Sequence, residues 1–277
     1  MSSPVLRVKN ELKVGRFLIP YRIYENNGPH IICINGVQQS MAMWSSFVSR
    51  FSKDYRIVLF DFPNQGKGKV VSGPSKVTLD EQVQILLAVV DKAGLNKDTT
   101  MCAASWGGVV AVVFASKYQD RIKPLILASL GTRPNKKMAE TIKKGYAVDI
   151  NDRDQMAKVL IESFGENLPQ LLKQRIISQF STMKEDDIRT FYEHGLFVLS
   201  SKQLTDLINL KDIKVKTILI NGENDTIIDI DDVKFLATQI PDCELKIIKG
   251  VGHFLHMERE EVLDIYEDIL SSQLKGG

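Results

Sequence analysis

The side chains of Ser105, Asp225 and His253 follow one another along this chain in an order that could move an acyl group. Ser105 lies in Cys102-Ala103-Ala104-Ser105-Trp106-Gly107-Gly108, between an apolar run that reads as a strand and an apolar run that reads as a helix. A serine hydroxyl is a weak nucleophile until a base takes its proton. A sharp strand-to-helix turn that lifts the side chain clear of a sheet gives a base that access. Such an elbow usually carries glycine two residues before and two after the serine; here Gly107 keeps the second place and Ala103, still small, takes the first. A Ser-Trp-Gly-Gly turn in an ordinary strand-helix unit would leave the same trace, so the remaining residues decide.

A base and a carboxylate to orient it are found downstream, in the order serine, acid, histidine. Thr217-Ile218-Leu219-Ile220 runs into Asn221-Gly222-Glu223-Asn224-Asp225, which puts Asp225 in a loop past the carboxyl end of a predicted strand, the edge where open α/β sheets hold their ligands. A turn aspartate would look similar. Asp229, Asp231 and Asp232 are close by, but they read as the start of the next helix, where acids suit the dipole. Glu244-Leu245-Lys246-Ile247-Ile248 then leads to Gly250-Val251-Gly252-His253-Phe254, ahead of a helical segment from about Glu258. The chain has four histidines. His253 is the one the order requires; His30, His194 and His256 read as non-catalytic, His256, one helical turn further on, as a packing or exposed residue that could also line the pocket.

Charge developing on a carbonyl oxygen calls for two backbone N–H donors. Trp106, the residue after the serine, supplies the first. The second is expected from the loop after an early strand, where His30-Ile31-Ile32-Cys33-Ile34 leads into Asn35-Gly36-Val37-Gln38, with Val37 as the donor. A plain Asn-Gly turn explains that loop equally well.

Positioning such groups takes a sheet with its loops on one edge. The pattern predicts a few amino-terminal strands, strands near 30–34, 56–60 and 99–104, and helices near 44–53 and 78–93, the alternation of a parallel sheet. Ile57-Val58-Leu59-Phe60 ends in the turn-rich Asp61-Phe62-Pro63-Asn64-Gln65-Gly66 at the elbow's edge. A helix over 106–118 and a strand at Leu125-Ile126-Leu127-Ala128 follow. From about Thr132 to Leu210 the texture changes to consecutive amphipathic helices, and strands resume at Val215. The expected organisation is an α/β core of residues 1–131 and 211–277, a mostly parallel central sheet flanked by helices, with an all-helical cap over 132–210 inserted above the site. Leu196, Phe197, Val198 and Leu199 are candidate roof residues.

The composition, 44% apolar and 25% charged over 277 residues, is that of a globular protein large enough for one sizeable core. No apolar leader is evident in Met1–Asn10, and no segment approaches the roughly 20 apolar residues that span a bilayer. A cytoplasmic protein without an integral membrane segment is therefore expected. A net charge of +2 gives no reason to expect nucleic acid. Cys33, Cys102 and Cys243 lack metal-ligand spacing and read as reduced core residues. No glycine-rich phosphate loop or dinucleotide fingerprint is present, so neither a cofactor nor a metal is expected.

This ordered set resembles the α/β-hydrolase superfamily over essentially the whole chain, from about Leu6 to Leu274. Many members have His-Gly where this chain has Asn35-Gly36. Ile57-Val58-Leu59-Phe60-Asp61-Phe62-Pro63, Ala104-Ser105-Trp106-Gly107-Gly108, Ile220-Asn221-Gly222, Gly252-His253-Phe254-Leu255 and the run from Gln82 to Leu87 are similar to its 3-hydroxyacyl-ACP branch. That branch holds the rhamnolipid-pathway synthase that joins two 3-hydroxyacyl groups and the 3-hydroxyacyl-ACP:CoA transacylase. The resemblance implies acylation of Ser105 by a medium-chain 3-hydroxyacyl thioester, with His253 as base and then acid and Asp225 orienting it. It also implies an acyl carrier protein or CoA thioester as partner. Water as acceptor would instead make an esterase or thioesterase, and a member of the fold that binds without chemistry would lack a triad residue. Lys67, Lys69, Lys136, Lys137, Lys143 and Lys144 could form the basic face an acidic carrier protein needs, or simply a solvated one.

Overall fold

The computed structural model describes residues 7–274. Met1–Leu6, most of the stretch searched above for an apolar leader, lies outside the described residues, as does 275–277. The elements run β1 (Arg7–Val14), β2 (Phe17–Tyr24), β3 (His30–Ile34), α1 (Ser45–Phe51), β4 (Arg56–Phe60), β5 (Lys69–Val70), α2 (Leu79–Lys92), β6 (Thr100–Ala104), α3 (Trp106–Tyr118) and β7 (Leu125–Ala128). After these come α4 (Lys136–Tyr146), α5 (Arg153–Phe164), α6 (Gln170–Thr182), α7 (Glu185–Ser200), α8 (Leu204–Leu207), β8 (Thr217–Gly222), α9 (Ile230–Gln239), β9 (Cys243–Ile248) and α10 (Val262–Leu274).

The strands form one sheet in the order β1-β2-β4-β3-β6-β7-β8-β9, with β5 paired to β2. From β4 to β9 the pairing is parallel, whereas β1, β2 and β5 are joined antiparallel. The inner parallel strands β3, β4, β6, β7 and β8 are covered on both faces, which is why they read as apolar runs. Side-chain alternation then divides them. Ile31, Cys33, Cys102, Ala104 and Ile220 pack with Phe47 of α1 and Tyr266 of α10. Ile32, Ile34, Ala103, Leu127 and Leu219 pack with α2, α3 and α9. Val110 through Ala115 of α3 are all buried, so this helix is apolar around its circumference, as one enclosed on most sides must be. Thr78 caps α2 with Glu81 in a reciprocal capping box, worth about 1 kcal/mol.

The helices α4–α8 lie between β7 and β8 in the chain. They hold a small core of their own, Met156, Ala157, Phe180, Ile188 and Tyr192. The two-residue strand β5, which pairs with β2, falls in a stretch with no strand pattern. One expectation is corrected: Cys243 is not enclosed in the core. It opens β9, the sheet's edge strand, and is only half-buried, while Cys33 and Cys102 are fully enclosed; all three are free.

Candidate active site

Ser105 occupies the turn from β6 into α3 with φ 49° and ψ −122°, a left-handed conformation that costs a side-chain-bearing residue about 1–3 kcal/mol. The turn is pinned by Ser105 N–H donating to Ala128 O at 2.9 Å and Gly108 N–H donating to Ser105 O at 2.8 Å. Gly107 is required by close approach: a Cβ there would stand 2.4 Å from Asn35 O and 2.9 Å from Ile34 O. The first turn of α3 is thus pressed against the end of β3. Ala103, the departure from the usual elbow, is 1% exposed and sits in the core on the α3 face, where its methyl is accommodated.

Asp225 and His253 meet across the loops after β8 and β9. His253 Nδ1 lies 2.8 Å from Asp225 Oδ2, and Asp225 Oδ1 accepts from Ile227 N–H at 2.8 Å and Ile228 N–H at 3.0 Å. Burial alone would raise the Asp225 carboxyl; the charge and hydrogen bond of His253 together with the two amides outweigh it and hold the group below the usual carboxylate range. An ionised acid can only accept, so Nδ1–H is the donor of this bond and Nε2 is the ring nitrogen left to exchange a proton elsewhere. The neighbouring acids are engaged elsewhere. Asp229 accepts from Asn135 at 3.1 Å, Asp231 pairs with Lys234 at 3.0 Å, and Asp232 accepts from Thr132 N–H at 2.6 Å. Gly222 lets the two loops touch, since a Cβ there would stand 2.2 Å from Val251 O and 2.3 Å from Gly252 O.

Ser105 and His253 line one cavity of about 10 Å³, together with Gln39, Met43, His256 and Tyr266. No hydrogen bond joins the two side chains across it; such bonds commonly tighten only with a bound reactant. The other histidines are placed apart from this chemistry. His30 opens β3 at the far end of the strand. His194 sits in α7, where burial pushes its pKa down to about 4. His256 takes two of the places open to it: buried, it stacks on Trp44 at 5.4 Å with its Nε2 3.2 Å from Met43 O, and it also lines the cavity.

The loop after β3 turns back through Gln39 N–H donating to Gly36 O at 3.3 Å. Gln38 carries a left-handed φ of 61°, the conformation that the third position of a type II turn requires. Val37 is the residue before it, and Trp106, first in α3, has an N–H without an intrahelical acceptor. Asn35 anchors the loop: it accepts from Trp44 Nε1 at 3.2 Å and donates to Phe60 O at 3.1 Å. The Gln65 side-chain amide faces Gln39 O at 2.9 Å and Gly36 O at 3.0 Å, two acceptors that assign its nitrogen to this side as the donor. Asp61 accepts from Met41 N–H at 2.6 Å and Lys67 N–H at 3.1 Å, although burial still raises its pKa.

Several residues that hold the site were not identified as doing so from sequence. The Glu258 carboxylate accepts from Gly252 N–H at 2.7 Å and Phe254 N–H at 3.0 Å, gripping the chain on both sides of His253. Ser129 Oγ donates to His253 O at 2.6 Å. Glu258 follows His253 closely enough that a local carboxylate-to-amide pattern could have flagged it. Ser129 and Gln65 have no such signal, because their partners are backbone atoms brought near only by folding.

The helical insertion reaches these loops. Gln38 Nε2 donates to Phe191 O of α7 at 2.9 Å, and Thr226 Oγ1 donates to Ser163 O of α5 at 3.0 Å. The Trp106 ring meets Phe197 edge-on at 5.4 Å while its Nε1 donates to Gln82 Oε1 at 2.8 Å. Of the four candidate roof residues, Phe197, Val198 and Leu199 pack toward the sheet core, but Leu196 faces outward at 38% exposure, because consecutive helical residues point about 100° apart. Lys67, Lys69, Lys136, Lys137, Lys143 and Lys144 are exposed. Among the described residues no cluster of three or more His, Cys, Asp or Glu side chains could hold a metal ion, and no helix is long and apolar enough to cross a membrane.

Comparison with known proteins gives a consistent fold and a divided chemistry. The sequence pattern of the family described as alpha/beta hydrolase fold matches residues 29–260. The (R)-3-hydroxydecanoyl-ACP:CoA transacylase of Pseudomonas putida is 24% identical over 247 residues, 88% of this chain and 83% of that protein. Monoacylglycerol lipase ABHD6 of Homo sapiens is 26% identical over 260 residues, 88% of this chain and 75% of the lipase. In structure, the α/β hydrolase MGS-M2 from a Medee basin deep-sea metagenome library superposes with a TM-score of 0.81 at 19% identity, covering 97% of this chain and 98% of that one.

Proposed function

This chain belongs to the α/β-hydrolase fold family, and on that premise we propose that it is an acyltransferase working through an acyl-enzyme on Ser105, with medium-chain 3-hydroxyacyl thioesters as donors. The observation that carries the reading is the 2.8 Å bond between His253 Nδ1 and the buried, ionised Asp225, beside a cavity wall that Ser105 shares. Ser105 Oγ attacks the thioester carbonyl as its proton passes to His253 Nε2. The oxyanion rests against the N–H groups of Val37 and Trp106. Collapse breaks the C–S bond, and His253 returns the proton to the departing sulfur. An acceptor hydroxyl or thiol then attacks the acyl-serine, giving its proton to His253, which hands it back to Ser105 Oγ.

The similarity to a 3-hydroxydecanoyl-ACP:CoA transacylase supports the donor class. The helices α4–α8 serve as the cap over the site, and the acyl chain lies on the side where Trp106 meets Phe197. On α4, Lys136, Lys137, Lys143 and Lys144 are exposed opposite the buried Met138 and Ile142, a face of the sign that an acidic carrier protein would meet. A second reading is hydrolysis of acyl esters. It is favoured by the similarity to a monoacylglycerol lipase and by the cavity of about 10 Å³ against Ser105 and His253, a volume for one water. Mass spectrometry of products from 3-hydroxydecanoyl-ACP, with and without CoA, separates the two. Transfer predicts a CoA ester or a dimeric hydroxyacyl ester; free acid alone would reject it in favour of hydrolysis.

A further inference from the structure

We infer that Gln38 is a positioning residue, a latch through which the helical insertion holds the oxyanion loop in its working shape. The inference rests on the proposed role of Val37 N–H as an oxyanion donor, and extends it to what keeps that N–H in place. Gln38 follows Val37 directly and has a left-handed φ of 61°, which a residue with a Cβ adopts only when its surroundings impose it. The core side holds the loop at Gly36 and Gln39 through the Gln65 amide, its nitrogen assigned toward their carbonyls, and within the loop Gly36 N–H donates to Gln39 Oε1 at 3.0 Å. Neither contact reaches residue 38. Its own side-chain bond runs to the other region: Gln38 Nε2 donates to Phe191 O at 2.9 Å, across 153 residues of chain. That carbonyl is well fixed. Phe191 stacks edge-on with Phe180 at 5.3 Å and with Tyr192 at 5.5 Å, inside the small core of the insertion.

The seat of the insertion and the direction of Val37 N–H are thereby coupled. With the insertion docked, the latch favours the left-handed turn; with it displaced, residue 38 is free to relax to negative φ and to rotate the preceding peptide, which carries the donor.

Two substitutions separate a latch from ordinary packing. Gln38→Ala removes the tether and keeps the penalty for a left-handed φ, whereas Gln38→Gly removes both. The latch predicts faster amide hydrogen exchange in Gln38→Ala over residues 36–40 and over α7. It also predicts a kcat on p-nitrophenyl butyrate lowered about tenfold with KM within about twofold, and recovery of most of that kcat in Gln38→Gly, because glycine enters positive φ without the penalty the latch offsets. Unchanged exchange over 36–40 in Gln38→Ala overturns the latch whatever the turnover. Equal losses of kcat in the two variants overturn it as well, since packing or direct substrate contact would be lost in both. Failure of the underlying reading shows separately, as turnover that survives in Ser105→Ala, and the exchange data still decide the latch.

Discussion

The sheet and the helical insertion are held together by different means. In the sheet, residue after residue is enclosed, as in β6 and β8, where every position is buried, and the loops at the sheet edge are pressed into backbone contact at Gly107 and Gly222. The insertion has the small core around Phe180 and Tyr192 and leaves the large apolar side chains of Tyr146, Leu171, Ile177 and Leu196 exposed; among the described residues the much longer remainder exposes only three large apolar side chains, Val71, Phe235 and Ile247. Groups that must be held to fractions of an ångström sit on the tightly packed part. The looser part touches their loops through contacts such as Gln38 with Phe191 O and Thr226 with Ser163 O. A fold that divides its packing this way can keep the constellation on its sheet while the sequence of the insertion changes.

Substitution in the packed part should have the larger effect. Gly222→Ala puts a methyl carbon 2.2 Å from Val251 O, where both neighbours are backbone and cannot swing aside. The expected cost is roughly 3 kcal/mol or more, a fall in Tm of roughly 6–10 °C, with turnover lost because the His253 loop is pushed from Asp225. Thermal unfolding followed by circular dichroism checks it. A Tm within 1–2 °C of the parent (roughly 0.5 kcal/mol) would mean that the sheet-edge loops have the slack assigned here to the insertion.

A smaller effect is expected from His194 in the insertion, and it depends on pH. Its Nδ1 is buried without a partner, and burial lowers its pKa from an ordinary 6.5 to about 4. The unfolded chain therefore takes up the proton first as pH falls. Stability is complete above pH 6.5 and is lost progressively toward pH 4, by about 2 kcal/mol between pH 7 and pH 5. His256 is lowered in the same direction by its burial and adds to the loss in the core. Urea unfolding of the parent and of His194→Gln at the two pH values should show a shallower decline in the variant. Parallel declines would mean that the insertion tolerates a charged His194, and that its core is open to water.

How far the site was legible in the sequence follows the same division. Ser105 and Asp225 each lie just past an apolar run that forms a parallel strand, and His253 lies past the more mixed strand β9, so strand patterning together with the turn residues placed them on one sheet edge. The choice of Asp225 over Asp229, Asp231 and Asp232 rested on the helix start, and α9 does begin at Ile230. The supports were not readable. Ser129 finds its acceptor 124 residues away, and Gln65 donates to two carbonyls that are together only because the loop turns at Gln38. In the insertion, the helices themselves were legible from amphipathic spacing, but their docking was not. Adjacent Leu196 and Phe197 are equally apolar, and only the packing of α7 decides that the phenyl ring meets Trp106 while the leucine faces solvent.

The central claim is that the packed part carries acyl chemistry on a single serine. Its most direct test is intact-mass and peptide-mass analysis after brief reaction with a 3-hydroxydecanoyl thioester, run on the parent protein and on Ser105→Ala. The account predicts one acyl adduct on the peptide containing Ser105 in the parent, no adduct in the variant, and turnover reduced by roughly four to six orders of magnitude. Turnover at the parent rate in Ser105→Ala, or an adduct that persists in it, would contradict the account.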